Sequence, residues 1–167
     1  MADFEQYEPT SFMGGPSTIF TPKTANRFVL TVNGISSFLV KKVTRPGVTF
    51  GDIILDHVNT KRKMAGKADW QPVSMTLYDP IIPSGAQEVM DWVRLHYQSA
   101  TGQAGYPAEY KKDVTIEALD PVGSICERWV LKGAYIQSTE MGEYDWGNDQ
   151  PVEITVTMAY DWALLEL

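Results

Sequence analysis

Apolar and polar residues alternate most regularly near the end of the chain. Val152, Ile154, Val156, Met158, Tyr160 and Trp162 take every second position, with Glu153, Thr155, Thr157, Ala159 and Asp161 between them. Successive side chains leave a strand on opposite faces, so this pattern predicts a strand over residues 152–162, dry on one face and wet on the other. Phe28, Leu30 and Val32 predict another strand, and the Asn33-Gly34 pair after it suits a two-residue hairpin turn. Residues 35–43 then read as the returning partner, ended by Pro46-Gly47, and residues 48–58 as a further strand. The polar, basic stretch 59–69 reads as a loop. Val73, Met75 and Leu77 share one face of a strand over 70–78.

One helix is well marked. Ser84 and Gln87 form a Ser-x-x-Gln capping box behind Pro83. Ala86, Val89, Met90, Val93 and Tyr97 then recur at helical spacing, and the helix is expected to end near Ser99. Strands follow at 114–119 and 125–138, joined by an Asp120-Pro121-Val122-Gly123 turn. Residues 142–150 form an acidic loop before the last strand. Six or seven strands, one helix and hairpin-type links predict a mainly β fold, an antiparallel sandwich or barrel with the helix packed on it. Residues 1–25, which contain Pro9, Gly14, Gly15, Pro16 and Pro22, read as a flexible arm, and 26–167 as a single β domain. Phe4, Tyr7, Phe12 and Phe20 give that arm the means to order against a neighbour.

Composition changes this picture little. Apolar residues make up 44 % and charged residues 21 % of the 167, ordinary for a globular protein. The formal net charge of −7 disfavours a grip on phosphate. Cys126 is the only cysteine, which excludes an internal disulfide and suits synthesis in a reducing cytoplasm. No apolar run reaches the ~20 residues of a membrane span, so no membrane insertion is expected.

Candidate chemistry is sparse. His57 and His96 lack nearby partners at metal-ligand spacing, and no nucleophile elbow or phosphate-binding loop appears. No catalytic residue, metal site or cofactor is expected. Lys61, Arg62, Lys63 and Lys67 form the one basic cluster. Three readings apply to it: a contact between stacked copies, a solvated loop, or a phosphate contact. Acidic complements lie in the N-terminal arm (Asp3, Glu5, Glu8) and at Glu143, Asp145 and Asp149. Glu117, Glu153, Thr155 and Thr157 belong to the wet faces of strands.

Three stretches carry a family resemblance: Asn59-Thr60-Lys61-Arg62-Lys63-Met64-Ala65-Gly66-Lys67-Ala68-Asp69-Trp70 with the strand to Tyr78, then Pro107-Ala108-Glu109-Tyr110-Lys111-Lys112, then Tyr144-Asp145-Trp146-Gly147-Asn148 with the strand to Trp162. With the helix between the first two, the chain resembles tail tube proteins of contractile-tailed bacteriophages of the T4 type over residues 26–162. The resemblance implies two packed antiparallel sheets flanked by a helix. It implies homo-hexameric rings, joined sheet edge to sheet edge and stacked into a tube inside a sheath. Sheath, baseplate and tail-terminator proteins are the implied partners. DNA is expected to pass through without specific binding, and the location is the virion tail, assembled in the host cytoplasm. Glu117, Glu153, Thr155 and Thr157 become lumen candidates, and the basic and acidic clusters become contacts between rings or neighbours. The rivals are a tube-initiating baseplate protein, the inner tube of a related injection system, and a monomeric ligand-binding β-barrel with a closed apolar pocket.

Overall fold

The computed structural model of the protein describes residues 22–166. The N-terminal aromatic and acidic positions named above lie outside that range. The elements are β1 (Phe28–Val32), a 3-10 turn (Ser37–Leu39), β2 (Val40–Val43), β3 (Gly47–His57), β4 (Thr60–Gln71), β5 (Val73–Tyr78), α1 (Gly85–His96), α2 (Pro107–Tyr110), β6 (Lys112–Leu119), β7 (Ile125–Glu140), β8 (Glu153–Ala159) and β9 (Trp162–Leu165). The fold is mainly antiparallel β, as the alternation predicts.

Seven strands make the body, in the order β1-β6-β7-β8-β5-β2 with β9 also on β7. The 16-residue β7 serves both halves, pairing with β6 and β9 through its first part and with β8 through its last. Its register shifts between Ile136 and Ser138, and Gly133 takes φ +65°. Such irregularities bend a strand and let one sheet fold over. Glycine suits that φ, and a Cβ on it would also displace the Asp161 carboxylate, whose Oδ2 would stand 2.3 Å away. The two halves share one core. Leu30 and Val32 from β1, Val114 and Ile116 from β6, Leu131 from β7, Ile154, Val156 and Met158 from β8, and Val73, Met75 and Leu77 from β5 are all buried in it. Val89 and Trp92 of α1 join them, and the Trp92 indole N–H donates to the Tyr110 carbonyl at 2.7 Å.

Several local expectations hold. Ser84 Oγ accepts the Gln87 N–H at 3.4 Å, and it also donates to Asp79 Oδ1 at 3.3 Å. The 120–123 turn closes with Gly123 N–H to the Asp120 carbonyl at 3.1 Å, while Asp120 Oδ1 takes the Val122 and Ser124 amides.

Four expectations need correction. Asn33-Gly34 turns the chain with Gly34 at φ +94°, but only a single Val32–Ile35 bridge follows. The chain then makes the 3-10 turn that buries Leu39 and crosses over, so β2 pairs with β5 and β1 with β6. The helix ends at His96, because Tyr97 leaves helical geometry, and Tyr97 is half-exposed instead of extending the apolar stripe. The final strand breaks at Tyr160–Asp161, where the Asp161 N–H bonds the Lys132 carbonyl, and resumes as β9. The last correction is the largest. Residues 59–69 are not a loop: β3 and β4 form a two-stranded antiparallel hairpin paired from Gly47–Gln71 to His57–Thr60.

Candidate functional site

The β3–β4 hairpin is an arm. At ~3.3 Å per residue its 11-residue strand reaches about 35 Å. Every residue of β3 is exposed, and in β4 only Gly66 and Trp70 are partly covered. A bulge at Gly51–Gly66 divides it, and a Cβ on Gly66 would meet the Gly51 carbonyl oxygen at 2.8 Å. The tip turns through Val58 and Asn59, with Val58 at φ +46° and 90 % exposed. A β-branched residue there is unusual, and the turn carries none of the glycine that announces a hairpin.

The register sorts the arm's side chains into two faces. Asp56 opposes Lys61, Ile54 opposes Lys63 and Phe50 opposes Ala68 on one face. Leu55 opposes Arg62 and Ile53 opposes Met64 on the other. Lys61 and Lys63 already have partners, Asp56 at 3.7 Å and Asp52 at 3.3 Å. Exposed pairs like these contribute about 0–1 kcal/mol. The larger uncompensated feature is apolar: Phe50, Ile53, Ile54, Leu55 and Met64 are each about half-exposed. Lone two-stranded hairpins are marginal in water. Sequence reasoning singled out the cations of this segment and missed its hydrophobic residues. Their signal was a run of large β-formers, Ile53-Ile54-Leu55, without alternation.

The acidic loop lies at the other end of the body. β5 runs from Val73, beside the arm, to Tyr78, which pairs with Glu153. Asp79 N–H bonds the Val152 carbonyl at 3.1 Å, so the chain leaving β5 starts beside the segment that leads from the acidic loop into β8. Glu143, Asp145 and Asp149 are exposed there, and so are Tyr144, Trp146, Ile81 and Ile82. An open depression is lined by Tyr144, Trp146 and Pro151. Two exposed apolar surfaces therefore sit at opposite ends of β5, about 20 Å apart along the strand.

The lumen candidates separate into two places. Thr155 and Thr157 lie on the outer face of β8, opposite its buried Ile154, Val156 and Met158. Cross-strand they meet Thr76 and Ser74 of β5 and Glu140 and Ser138 of β7. The result is a three-strand surface of small hydroxyls with Glu140 and Glu153 at its rim, where Lys41 pairs with Glu153. Glu117 is elsewhere. It lies on β6 opposite Arg128, whose Nε donates to Glu117 Oε1 at 2.7 Å.

Glu127 is the buried charged residue of the described chain, 7 % exposed. It accepts from Lys23, from Arg45 Nη1 at 3.1 Å and from the Trp129 indole at 2.6 Å. The Lys23 ammonium, then Trp129 and Arg45, outweigh desolvation and pull its carboxyl from 4.5 to about 2. Cys126 Sγ donates to the Ala118 carbonyl at 3.4 Å, and His96 lies 4.5 Å from the Tyr110 ring. Among the described residues no group of three or more His, Cys, Asp or Glu is placed to hold a metal ion, and no helix is long and apolar enough to cross a membrane.

The sheet is open. Among the described residues β1 pairs only with β6, β2 only with β5 and β9 only with β7.

No protein-family model and no curated protein matches the chain. Solved structures do. A chain of the sheath–tube complex of an extracellular contractile injection system, in the extended state, is 18 % identical with a TM-score of 0.71, covering 89 % of this chain and 93 % of that one. A chain from the sheath/tube terminator of the same kind of system has a TM-score of 0.73 at 19 % identity, covering 89 % and 99 %. A chain from the tube-terminating cap of the anti-feeding prophage has a TM-score of 0.67 at 20 % identity, covering 87 % and 91 %. The fold is that of contractile injection system components; these neighbours do not single out a phage tail of the T4 type.

Proposed function

We propose that this chain is the inner tube subunit of a contractile injection device. Copies join through their open sheet edges into closed six-membered rings, and the rings stack through the arm. The observation that carries this reading is the arm itself: a paired hairpin, exposed on both faces and rich in Phe50, Ile53, Leu55 and Met64, that gives the body's core only Trp70 at its root. Its occupant is a second copy. The arm and the Tyr144–Trp146 loop lie at opposite ends of β5, so one copy's arm is presented to the next copy's far end. Two different surfaces meeting head to tail give an open stack, whereas a self-complementary patch would stop at a pair. Arg62, left without an acidic partner on the arm, faces Glu143, Asp145 and Asp149 across such a joint. Lys67 adds a cation at the bulge.

The hydroxyl face of β8 with β5 and β7 suits a channel wall. Thr155 and Thr157 offer no cationic grip, and a net charge of −7 per copy repels phosphate at short range. Glu153 and Glu117 are already paired with Lys41 and Arg128, so their contribution is muted. Sheath, baseplate and terminator proteins are the partners of such a tube, with particle-bound location and no reaction of its own. In this reading residues 1–25 are an N-terminal arm whose end is tied to the body by Lys23 on Glu127, with the domain beginning at 26.

A phage tail tube of the T4 type is the second reading, favoured by the three sequence stretches at 59–78, 107–112 and 144–162. A tube-initiating subunit shares this architecture and differs in copy number per particle. Electron microscopy of the concentrated, purified chain tests the proposal. Hollow rings or tubes with six-fold end views are the expected result. A protein that stays a monomer, alone and with its particle's other components, overturns it.

A further inference from the structure

The arm has a built-in pivot. Val43 faces Met75 in the body and Gly47 faces Gln71 in the arm, so one register runs through both. That register places Pro46 opposite Pro72. The Thr44 N–H bonds the Ser74 carbonyl at 2.9 Å two residues earlier, which makes the proline level one where both residues ought to donate across the ladder. Neither has an N–H to give. The ladder is therefore interrupted on both strands at the same height, and residues 44–46 and 72 fall outside the named strands.

Side chains hold the two parts across and beside this gap. On the arm side, the Trp70 ring rests against Tyr160, the residue that follows β8, with centroids 6.0 Å apart. Tyr160 is buried in the body and Trp70 packs against that core. On the body side, Arg45 is tied to Glu127. Beyond Trp70 no arm residue joins the core cluster. At the Pro46/Pro72 level the arm is thus joined to the body by two peptide strands with no backbone cross-bond between them, and beside that level by one aromatic contact.

We propose that the arm is a rigid lever that pivots at the Pro46/Pro72 level and is held in one direction, in the free subunit, by Trp70 seated on Tyr160. This goes beyond the tube reading. It concerns how the arm is aimed before any partner arrives, and it holds or fails independently of what the arm docks on.

The test uses the full chain, kept dilute enough to remain a subunit, with Cys126→Ser and spin labels on Val58→Cys at the tip and Gln137→Cys on the body. Double electron–electron resonance reads the distance between them. The parent gives one narrow distribution. Trp70→Ala broadens it about twofold, as a lever released at its root requires. Adding Pro46→Val and Pro72→Val, which restores both donors, narrows it again. An unchanged width in Trp70→Ala overturns the proposal, and so does a width that the proline replacements leave broad. If Trp70→Ala fails to fold, the two proline replacements alone decide by hydrogen exchange. Slower exchange in peptides 44–50 and 68–74 than in the parent supports the pivot, and unchanged exchange overturns it. Loss of tubes with an intact distance distribution would instead count against the tube reading and leave the pivot standing.

Discussion

The body and the arm follow the same β chemistry to opposite ends. In β8, Ile154, Val156 and Met158 are fully buried while Thr155 and Thr157 stay half-wet. In β3, Ile53, Ile54 and Leu55 are consecutive, and all three remain about half-exposed. Alternation gives a strand one dry face, and a run of apolar residues gives it two that need cover. The body buries its apolar faces within one copy, apart from its open edges. The arm leaves its apolar residues half-exposed in that copy.

That contrast can be broken from either side. Leu131 is fully buried at the centre of the shared β7, so Leu131→Ala is expected to cost about 2–5 kcal/mol of subunit stability, read by denaturant unfolding. A loss below 0.5 kcal/mol, the range of a surface change, would remove β7 as the spine of the core.

Glu127→Gln comes next. It removes the charge shared by Lys23 and Arg45 but keeps an acceptor for Trp129, and both cations are at least half-exposed, so about 1–2 kcal/mol is expected. The pH dependence has a definite sign. The folded carboxyl titrates near 2 and the reference value is 4.5, so the stabilisation is full above 4.5 and is lost as pH falls toward 2. The variant is expected to lose that part of the acid-side slope; an identical slope would mean Glu127 is not held low.

The smallest effect on subunit stability belongs to the arm. Ile53, Leu55 and Met64 exchanged together for Ser should change the free energy of subunit unfolding by no more than about 0.5 kcal/mol, because none of them belongs to the core cluster. The same variant should lose assembly, read by sedimentation of concentrated protein. A large stability loss would place these residues in the core; normal assembly would free the arm of its proposed role.

Much of the body was legible in the sequence because burial writes a period. Residues 154–160, the Val73-Met75-Leu77 face and the Ser84 cap needed only local rules. The arm was not, for a physical reason. A hairpin wet on both faces has no period-two signature, and Val58–Asn59 turns it without a glycine. The Asn33-Gly34 turn misled in the opposite sense: the local signal for a turn is sound, yet Leu39 is drawn into the core and carries β2 to the other half. The break at Tyr160–Asp161 depends on Lys132 and Gly133, some 30 positions away, and no window over the last strand contains them. Among the site residues, the sequence marked Lys61, Arg62 and Lys63 by charge, whereas the carboxylates that pair with two of them, Asp56 opposite Lys61 and Asp52 diagonal to Lys63, became visible only once the strands were paired.

The most direct test of the arm as the stacking device compares the full chain with one in which residues 52–65 are replaced by an Asn-Gly turn, both concentrated and viewed by negative-stain electron microscopy. The account predicts long hollow tubes from the full chain and nothing beyond single rings or subunits from the trimmed one. Tubes of equal length from both would contradict it.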